Sequence, residues 1–585
     1  MTDEKKIRTK KDLPGEAEKR KRIMSRYGEN QIIDGEYDKS LSAVCHNGVF
    51  VGKEKDSIIA FKGIPYAKPP VGELRWKPPV AAENDNTVHQ AYYFGLSPIQ
   101  TEWPSEEGSY YPKGEDCLTL NIWTHKSTDT DRPVMVFFHG GSYGWGATSD
   151  PLYDGHNFVF AHNDVILVTV EYRVGIMGFI DFSKVEGGEE YKESGNLGLL
   201  DHICALKWIK NNIKAFGGNP ENITIFGESA GGGTVSLLAI MDSAKGLFNR
   251  IIAESGSVAL TYSRDECLSL TEKLLKNTGA SNMRELLSLS ERELMIANEK
   301  LNDFNNFPER DGVVIPENLY KAYADGKSKD YDIIVGTNAD ETCYWIREMG
   351  YYSEPKYGKV TFKLGVPVMF NSNKAKISSD DLKYLDYYMS QFSYRKLWKM
   401  VAFYNDILFR VPAVYQAELH SDNGGTAYNY YWTYPSAHKN LGACHAVELA
   451  YVLNNLNETI YTGDNIDVSL AKEVQNMWVN FAKSGNPSTE NNEWKPYNKE
   501  TRSTVILGSD IHSVSNLYPE RREALYPLLK YGFNGCYSNI QVKIPFYYII
   551  IGTILAILGI VPALLIRGSK LLIKGIKKLF KRKDV

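Results

Sequence analysis

Residues Ile223–Leu238 read ITIFGESAGGGTVSLL, and this stretch decides how the chain is built. Ile223 to Phe226 is an apolar, β-branched run of the kind found in strands buried on both faces. It leads directly into Gly227-Glu228-Ser229-Ala230-Gly231, a G-x-S-x-G pattern, and then into small and apolar residues through Leu238 that let a helix start hard against a sheet. A serine at such a turn is held in a strained backbone conformation, and Gly227 and Gly231 remove the side chains that would clash there. Its hydroxyl is thereby presented to solvent, which makes Ser229 a candidate nucleophile. The competing reading of the same residues is a glycine-rich packing turn.

Working outward, Leu200, Ile203, Cys204, Leu206, Trp208, Ile209, Ile213 and Phe216 recur at helical spacing until Gly217-Gly218-Asn219-Pro220 stops them. Further upstream, Val134 to His139 (VMVFFH) and Val165 to Glu171 (VILVTVE) read as buried strands. Strand-length apolar runs alternate with helical patterns from Ser40 to about Cys536, the signature of an α/β domain. A second G-x-S-x-G, Gly140-Gly141-Ser142-Tyr143-Gly144, follows the VMVFFH strand but opens no helical pattern, so it reads as a loop that donates backbone N–H groups.

The chain has 585 residues, 43% hydrophobic and 24% charged, which excludes a mainly disordered or polytopic membrane protein. Net charge is −4, and nothing global points to nucleic acid. Charge is unevenly spread: residues 567–585 carry eight Lys or Arg and one Asp (+7), residues 1–38 ten bases and nine acids (+1), leaving −12 for the middle. Seven cysteines stand singly, without a C-x-x-C pair, so no disulfide or zinc framework is indicated and a reducing compartment fits.

The N-terminus has no apolar core and is not a secretory signal. Residues 1–39 are expected to form a charged flexible arm. Ile544 to Ile566 contains no charge for 23 residues and is expected to be a transmembrane helix, followed by a basic amphipathic tail over 567–585. The missing signal favours a single-pass, tail-anchored protein whose catalytic body is cytoplasmic. Two N-x-T sequons, at Asn222 and Asn457, point the other way.

The elbow GESAGG, the preceding GNLGLLDHICALKWIKNNIKAFGGNPENITIF, EDCLTLNIW at Glu115 to Trp123, FKGIPYAKPPVGELRW at Phe61 to Trp76 and WVNFAKSGNPS at Trp478 to Ser488 together resemble the type-B carboxylesterase and cholinesterase family. The resemblance covers roughly residues 40–536 and implies an α/β-hydrolase fold, a mostly parallel central sheet flanked by helices. It also places the partners of Ser229. GTNADE puts the acid at Glu341, with Asp340 the alternative if the register slips by one, and GACHAVELAYVL puts the histidine at His445. The order Ser, acid, His is the one this fold uses.

The resemblance implies hydrolysis of small carboxylic esters through an acyl-enzyme, with no cofactor and no metal. Gly141, Ser142 and Ala230 are the expected oxyanion donors, although a serine stands where the family usually has a third glycine. Tyr143, Trp145, Glu228 and Trp345 are the expected substrate-pocket residues, and Trp103, Tyr110 and Tyr111 are further aromatics before Glu115. Cys117 and Cys267 lack the partners that the family's bridges imply. The rival classes are a cholinesterase-like adhesion protein that has lost catalysis and a lipid-ester hydrolase acting at its own membrane.

Overall fold

The protein is described from a computed structural model covering residues 21–100, 111–127, 129–301, 306–345, 366–367, 369–437, 441–456, 458, 462 and 466–533. Fourteen strands are present among them: β1 (Ser42–Cys45), β2 (Asn47–Val51), β3 (Lys53–Lys55), β4 (Ile58–Pro65), β5 (Asp85–Gln90), β6 (Thr119–His125), β7 (Arg132–Phe138), β8 (Ile166–Val170), β9 (Gly218–Glu228), β10 (Arg250–Glu254), β11 (Asp332–Asn338), β12 (Thr426–Trp432), β13 (Ser503–Leu507) and β14 (His512–Ser515). Eleven form one sheet in the order β14-β13-β12-β11-β10-β9-β7-β8-β6-β4-β3. Its centre, from β8 to β13, is parallel, and antiparallel strands lie at both edges. The remaining three make a small separate sheet, β1-β2-β5.

Strand periodicity explains the two cores. Along β7, Val134, Val136 and Phe138 point into one buried cluster while Met135 and Phe137 point into the other, so helices must cover both faces. This is the α/β layering expected from the alternation, and it fits the α/β-hydrolase fold that the resemblance implies. The helix expected up to Phe216 is α-helical over Leu197–Asn212 and tightens to a 3-10 turn over Ile213–Phe216, where Gly217 at φ 84° ends it.

Residues 1–20 of the expected N-terminal arm lie outside the described residues; within 21–30 the chain is anchored to the body, with Ile23 fully buried beside Tyr111 and Ala147. Arg22 pairs with Glu458 at 2.8 Å and Arg26 with Asp154 at 2.8 Å. Asn30 accepts from the N–H groups of Tyr92 and Tyr93. One apolar anchor and two arginines opposite carboxylates hold what composition alone marked as solvated. Among the described residues no helix is long and apolar enough to cross a membrane; Ile544 to Ile566 and the basic tail lie outside them.

Candidate active site

Strand β9 ends at Glu228, a helix runs from Ala230 to Leu238, and Ser229 sits between them at φ 58°, ψ −117°. A non-glycine residue there carries strain of roughly 1–3 kcal/mol. The turn is tight because a Cβ on Gly227 would lie 2.5 Å, and one on Gly231 1.9 Å, from the carbonyl oxygen of Phe138. The Ser229 N–H donates to Glu254 O at 2.8 Å, which locks the turn to β10. The packing-turn reading needs the glycines but gives no reason for a strained serine between them.

Glu341 lies three residues past the end of β11 and is fully buried. Its Oε1 accepts from the Asn338 N–H at 2.7 Å and from Ser255 Oγ at 2.7 Å, while Oε2 lies 2.6 Å from His445 Nδ1. Three directed contacts fix this carboxylate. Asp340 is engaged elsewhere: it accepts from the Ala443 N–H at 3.0 Å, bracing the histidine loop. Ser255 was invisible to motif reading, because it meets Glu341 only through the pairing of β10 with β11, whereas Asn338 stands inside GTNADE and reaches Glu341 within one turn. Ser255 itself sits at φ 47°, directly after β10.

The His445 ring lies among Trp345 and Phe409, each with centroids 5.0 Å away, and Tyr344 at 6.0 Å. Trp345 is thus beside the imidazole, as expected of a pocket residue. On the other side of the ring, Nε2 is 3.0 Å from Glu228 Oε1, yet without hydrogen-bond alignment. Ser229 and His445 are not hydrogen-bonded to each other in this structure. Glu228 therefore stands between the elbow and the imidazole, and its Oε2 also lies against Gly140, 2.9 Å from where a Cβ would be.

The loop after β7 turns through left-handed conformations at Gly141 (φ 113°), Ser142 (φ 53°) and Tyr143 (φ 56°). Gly141 admits no side chain, since a Cβ would meet Trp145 O at 2.0 Å. Among the described residues, the N–H groups of Gly141, Ser142 and Ala230 donate to no backbone carbonyl outside the regular elements. Tyr143 corrects the pocket expectation. The left-handed turn swings it inward, where it is fully buried, edge-on to Phe179 and Phe307, with its hydroxyl accepting from Thr234. Trp145 stays half-buried beside Gly141. Tyr111 is likewise a core residue, donating to Asp150 at 2.5 Å; Trp103 and Tyr110 lie outside the described residues.

Behind the acid lies a second group of buried carboxyls. Glu254 Oε1 accepts from Trp478 Nε1 at 2.6 Å, and Glu448 Oε2 from Asn338 Nδ2 at 2.5 Å. Burial pushes Glu254 up to about 8, and burial together with the charges of Glu254 and Glu341 raises Glu448 well above the usual carboxylate range. Both therefore favour their neutral forms. Cys117 and Cys267 are buried free thiols, and the sequon residue Asn222 spends its side-chain oxygen on Arg250; Asn457 lies outside the described residues. Among the described residues no His, Cys, Asp and Glu group is arranged to hold a metal.

Comparison with known proteins agrees with this geometry. The sequence model of the carboxylesterase family matches residues 40–524. The para-nitrobenzyl esterase of Bacillus subtilis is 35% identical over 517 residues, covering 85% of this chain and 99% of its own. Rabbit (Oryctolagus cuniculus) liver carboxylesterase 1 is 34% identical over 502 residues, 77% of this chain and 86% of its own. An acetylcholinesterase of Leptinotarsa decemlineata is 28% identical over 515 residues, 78% and 80% of the two chains. Among solved structures, a thermophilic PNB esterase superposes with a TM-score of 0.73 at 31% identity, over 83% of this chain and all of its own. The Geobacillus stearothermophilus carboxylesterase gives 0.73 at 30% identity, over 83% and 99%. The chain belongs to the carboxylesterase family and is a hydrolase of the carboxylic ester type.

Proposed function

We propose that the protein is a serine esterase that cleaves small carboxylic esters through an acyl-enzyme, with Ser229 as nucleophile, His445 as general base and acid, and Glu341 as the orienting acid. The observation that carries this reading is the 2.6 Å contact between His445 Nδ1 and Glu341 Oε2, made beside a strained serine elbow. Glu341 holds Nδ1 protonated, leaving the Nε2 lone pair for the serine proton. The reading requires the Ser229 hydroxyl and Nε2 to come within hydrogen-bond reach as substrate enters.

Ser229 Oγ bonds to the ester carbonyl carbon as its proton passes to His445 Nε2. The carbonyl oxygen becomes an oxyanion, received by the N–H groups of Gly141, Ser142 and Ala230. Collapse expels the alcohol, which takes the proton from Nε2. Water then attacks the acyl carbon with the same histidine as base, releasing the acid and restoring the serine. Trp145, Trp345 and Glu228 border the place where the acyl and alcohol groups would lie.

Likeness to a para-nitrobenzyl esterase supports small esters of benzylic alcohols as substrates. In this reading the enzyme is held to a membrane by Ile544 to Ile566, with its body in the cytoplasm. An adhesion protein without catalysis has no use for the Glu341–His445 contact. Hydrolysis of p-nitrophenyl acetate by the full chain tests the proposal: Ser229→Ala should lower turnover at least about 10³-fold, and undiminished turnover would remove Ser229 as nucleophile.

A further inference from the structure

Two consecutive helices, Leu382–Ser390 and Lys396–Asn405, form a helix–turn–helix on the outside of the body. Its outer side exposes large aromatic rings: Tyr387 is 49%, Tyr394 58% and Trp398 42% exposed. Tyr394 lies in the turn just before the second helix and Trp398 in that helix's first turn, so both exposed rings stand at the same end of it. Between Lys383 and Lys399 there are four bases, Lys383, Arg395, Lys396 and Lys399, and one acid, Asp386, in a body that is otherwise acidic. Among the described residues Lys383, Arg395 and Lys396 make no ion pair, whereas Asp386 faces Lys374 at 3.9 Å.

Where the chain leaves the body fixes what this face meets. The last described turn, Tyr526–Tyr531, docks onto the same element: Lys530 pairs with Asp381 at 2.7 Å, Tyr531 donates to Asp381 at 2.5 Å, and Phe533 packs on Phe403. Only ten residues separate Phe533 from the uncharged stretch that opens at Ile544, a reach of at most about 35 Å when fully extended. A bilayer entered at Ile544 therefore lies close to these two helices. Exposed Tyr and Trp rings with unpaired cations around them are the side chains that settle at a headgroup layer.

We propose that the face carrying Tyr387, Tyr394, Arg395, Lys396 and Trp398 docks on the headgroups of an anionic lipid surface, fixing the orientation of the body on the membrane. The inference rests on the membrane attachment proposed above. The opposite end of the same helix touches the loop of the proposed acid. The helix Lys396–Asn405 ends in Asn405, whose Oδ1 accepts from the Thr342 N–H at 2.9 Å, one residue beyond Glu341.

The full-length chain, reconstituted in phosphatidylcholine vesicles with and without phosphatidylserine, tests this by oxidative footprinting. Tyr387, Tyr394 and Trp398 should be modified at least about threefold more slowly when phosphatidylserine is present. The triple variant Lys383→Glu, Arg395→Glu, Lys396→Glu should lose that protection while resisting carbonate extraction and hydrolysing a soluble ester at the unchanged rate. Equal modification in both vesicles, or protection that survives charge reversal, overturns the proposal. Protection that persists in detergent and grows with protein concentration assigns the face to a second copy, and also overturns it. Extraction of the wild type by carbonate would instead remove the anchor; flotation with the same anionic vesicles then reads the face alone, and failure to float overturns it.

Discussion

Glu228 Oε1 lies 3.0 Å from His445 Nε2, so the residue before the proposed nucleophile, and not Ser229 itself, faces the imidazole. A carboxylate there stabilises the positive charge that would develop on the imidazole as Ser229 attacks. Glu228→Gln keeps the shape and removes the charge. We expect kcat to fall by roughly 5- to 50-fold, because the anion beside the developing cation is lost. An unchanged kcat in p-nitrophenyl acetate hydrolysis would show that the two groups do not interact in the working enzyme.

Ser255 is expected to act on the acid alone. Its hydroxyl donates to Glu341 Oε1 at 2.7 Å, opposite the oxygen that meets His445. Ser255→Ala removes one of three directed contacts while the Asn338 N–H remains, a loss of about 1.5–3 kcal/mol for a bond to a charged group. The consequence should be a kcat lower by roughly 10-fold with KM within about twofold, since a positioning group acts on the transition state. Glu341→Gln, measured beside it, should cost about 10⁴-fold.

Much of this site was legible in the sequence, and the parts that were not share a cause. The elbow is local: strand, strained serine, small residues and helix are consecutive, so ITIFGESAGGGTVSLL carries its own geometry. Glu341 and His445 were reached only through a family resemblance, because nothing local in GTNADE separates Asp340 from Glu341. The coordinates separate them, turning Asp340 onto Ala443 N. Ser255 and the Glu228–His445 contact depend on which strands are neighbours, which no short pattern reports. Tyr143 failed for a related reason: the sign of φ at Ser142 and Tyr143 decides whether the ring faces the pocket or the core. The Lys21–Tyr27 segment reads as polar, and its burial rests on carboxylates more than a hundred residues away.

The buried carboxyls should make stability depend on pH in an unusual direction. Glu254, pushed up to about 8 by burial, holds its proton in the folded state at pH values where the unfolded chain has released it. Its folded pKa lies above its unfolded value, so the sign is that of a raised acid: stability is fully present below about 4.5 and declines as pH rises towards about 8, by up to roughly 1.4 kcal/mol per pH unit. Glu254→Gln retains an acceptor for Trp478 Nε1 and cannot ionise. Thermal unfolding followed from pH 5 to 8 should show a flatter profile and a higher Tm near pH 8 in the variant. Parallel profiles would exclude Glu254 as a source of the dependence.

Arg26 contributes in the opposite pH direction. It donates to Ser149 O at 3.1 Å and to Asp154 Oδ2 at 2.8 Å, and with Lys62 it holds the Asp154 carboxyl below its ordinary value against burial. A depressed acid adds stability above its unfolded pKa and loses it as pH falls through the folded one. Arg26→Ala should therefore lower stability by about 1–3 kcal/mol at neutral pH, by leaving a partly buried carboxylate less compensated. The deficit should shrink as the buffer is taken towards pH 3. Chemical denaturation at the two pH values reads both effects, and a deficit independent of pH would mean that packing, not charge, holds the segment.

Ser142 bears on rate through its backbone. At φ 53° it occupies the left-handed region, which costs a residue with a Cβ about 1 kcal/mol relative to glycine. The loop pays this without losing its shape, because Ser142 O accepts from the Asn306 N–H at 3.2 Å and the next turn is closed by Gly144 N–H and Trp145 N–H on Gly141 O. Substituting glycine relieves the strain but frees the chain before folding, so the net change in stability should stay within about 1 kcal/mol. Because the donors are backbone N–H groups, Ser142→Gly should hydrolyse p-nitrophenyl acetate within about threefold of the parent, whereas loss of an oxyanion donor costs about 10²-fold or more. Replacement by proline, which deletes the Ser142 N–H and forbids φ 53°, should bring that larger loss. A glycine variant as slow as the proline variant would show that the serine side chain, and not its amide, serves the reaction.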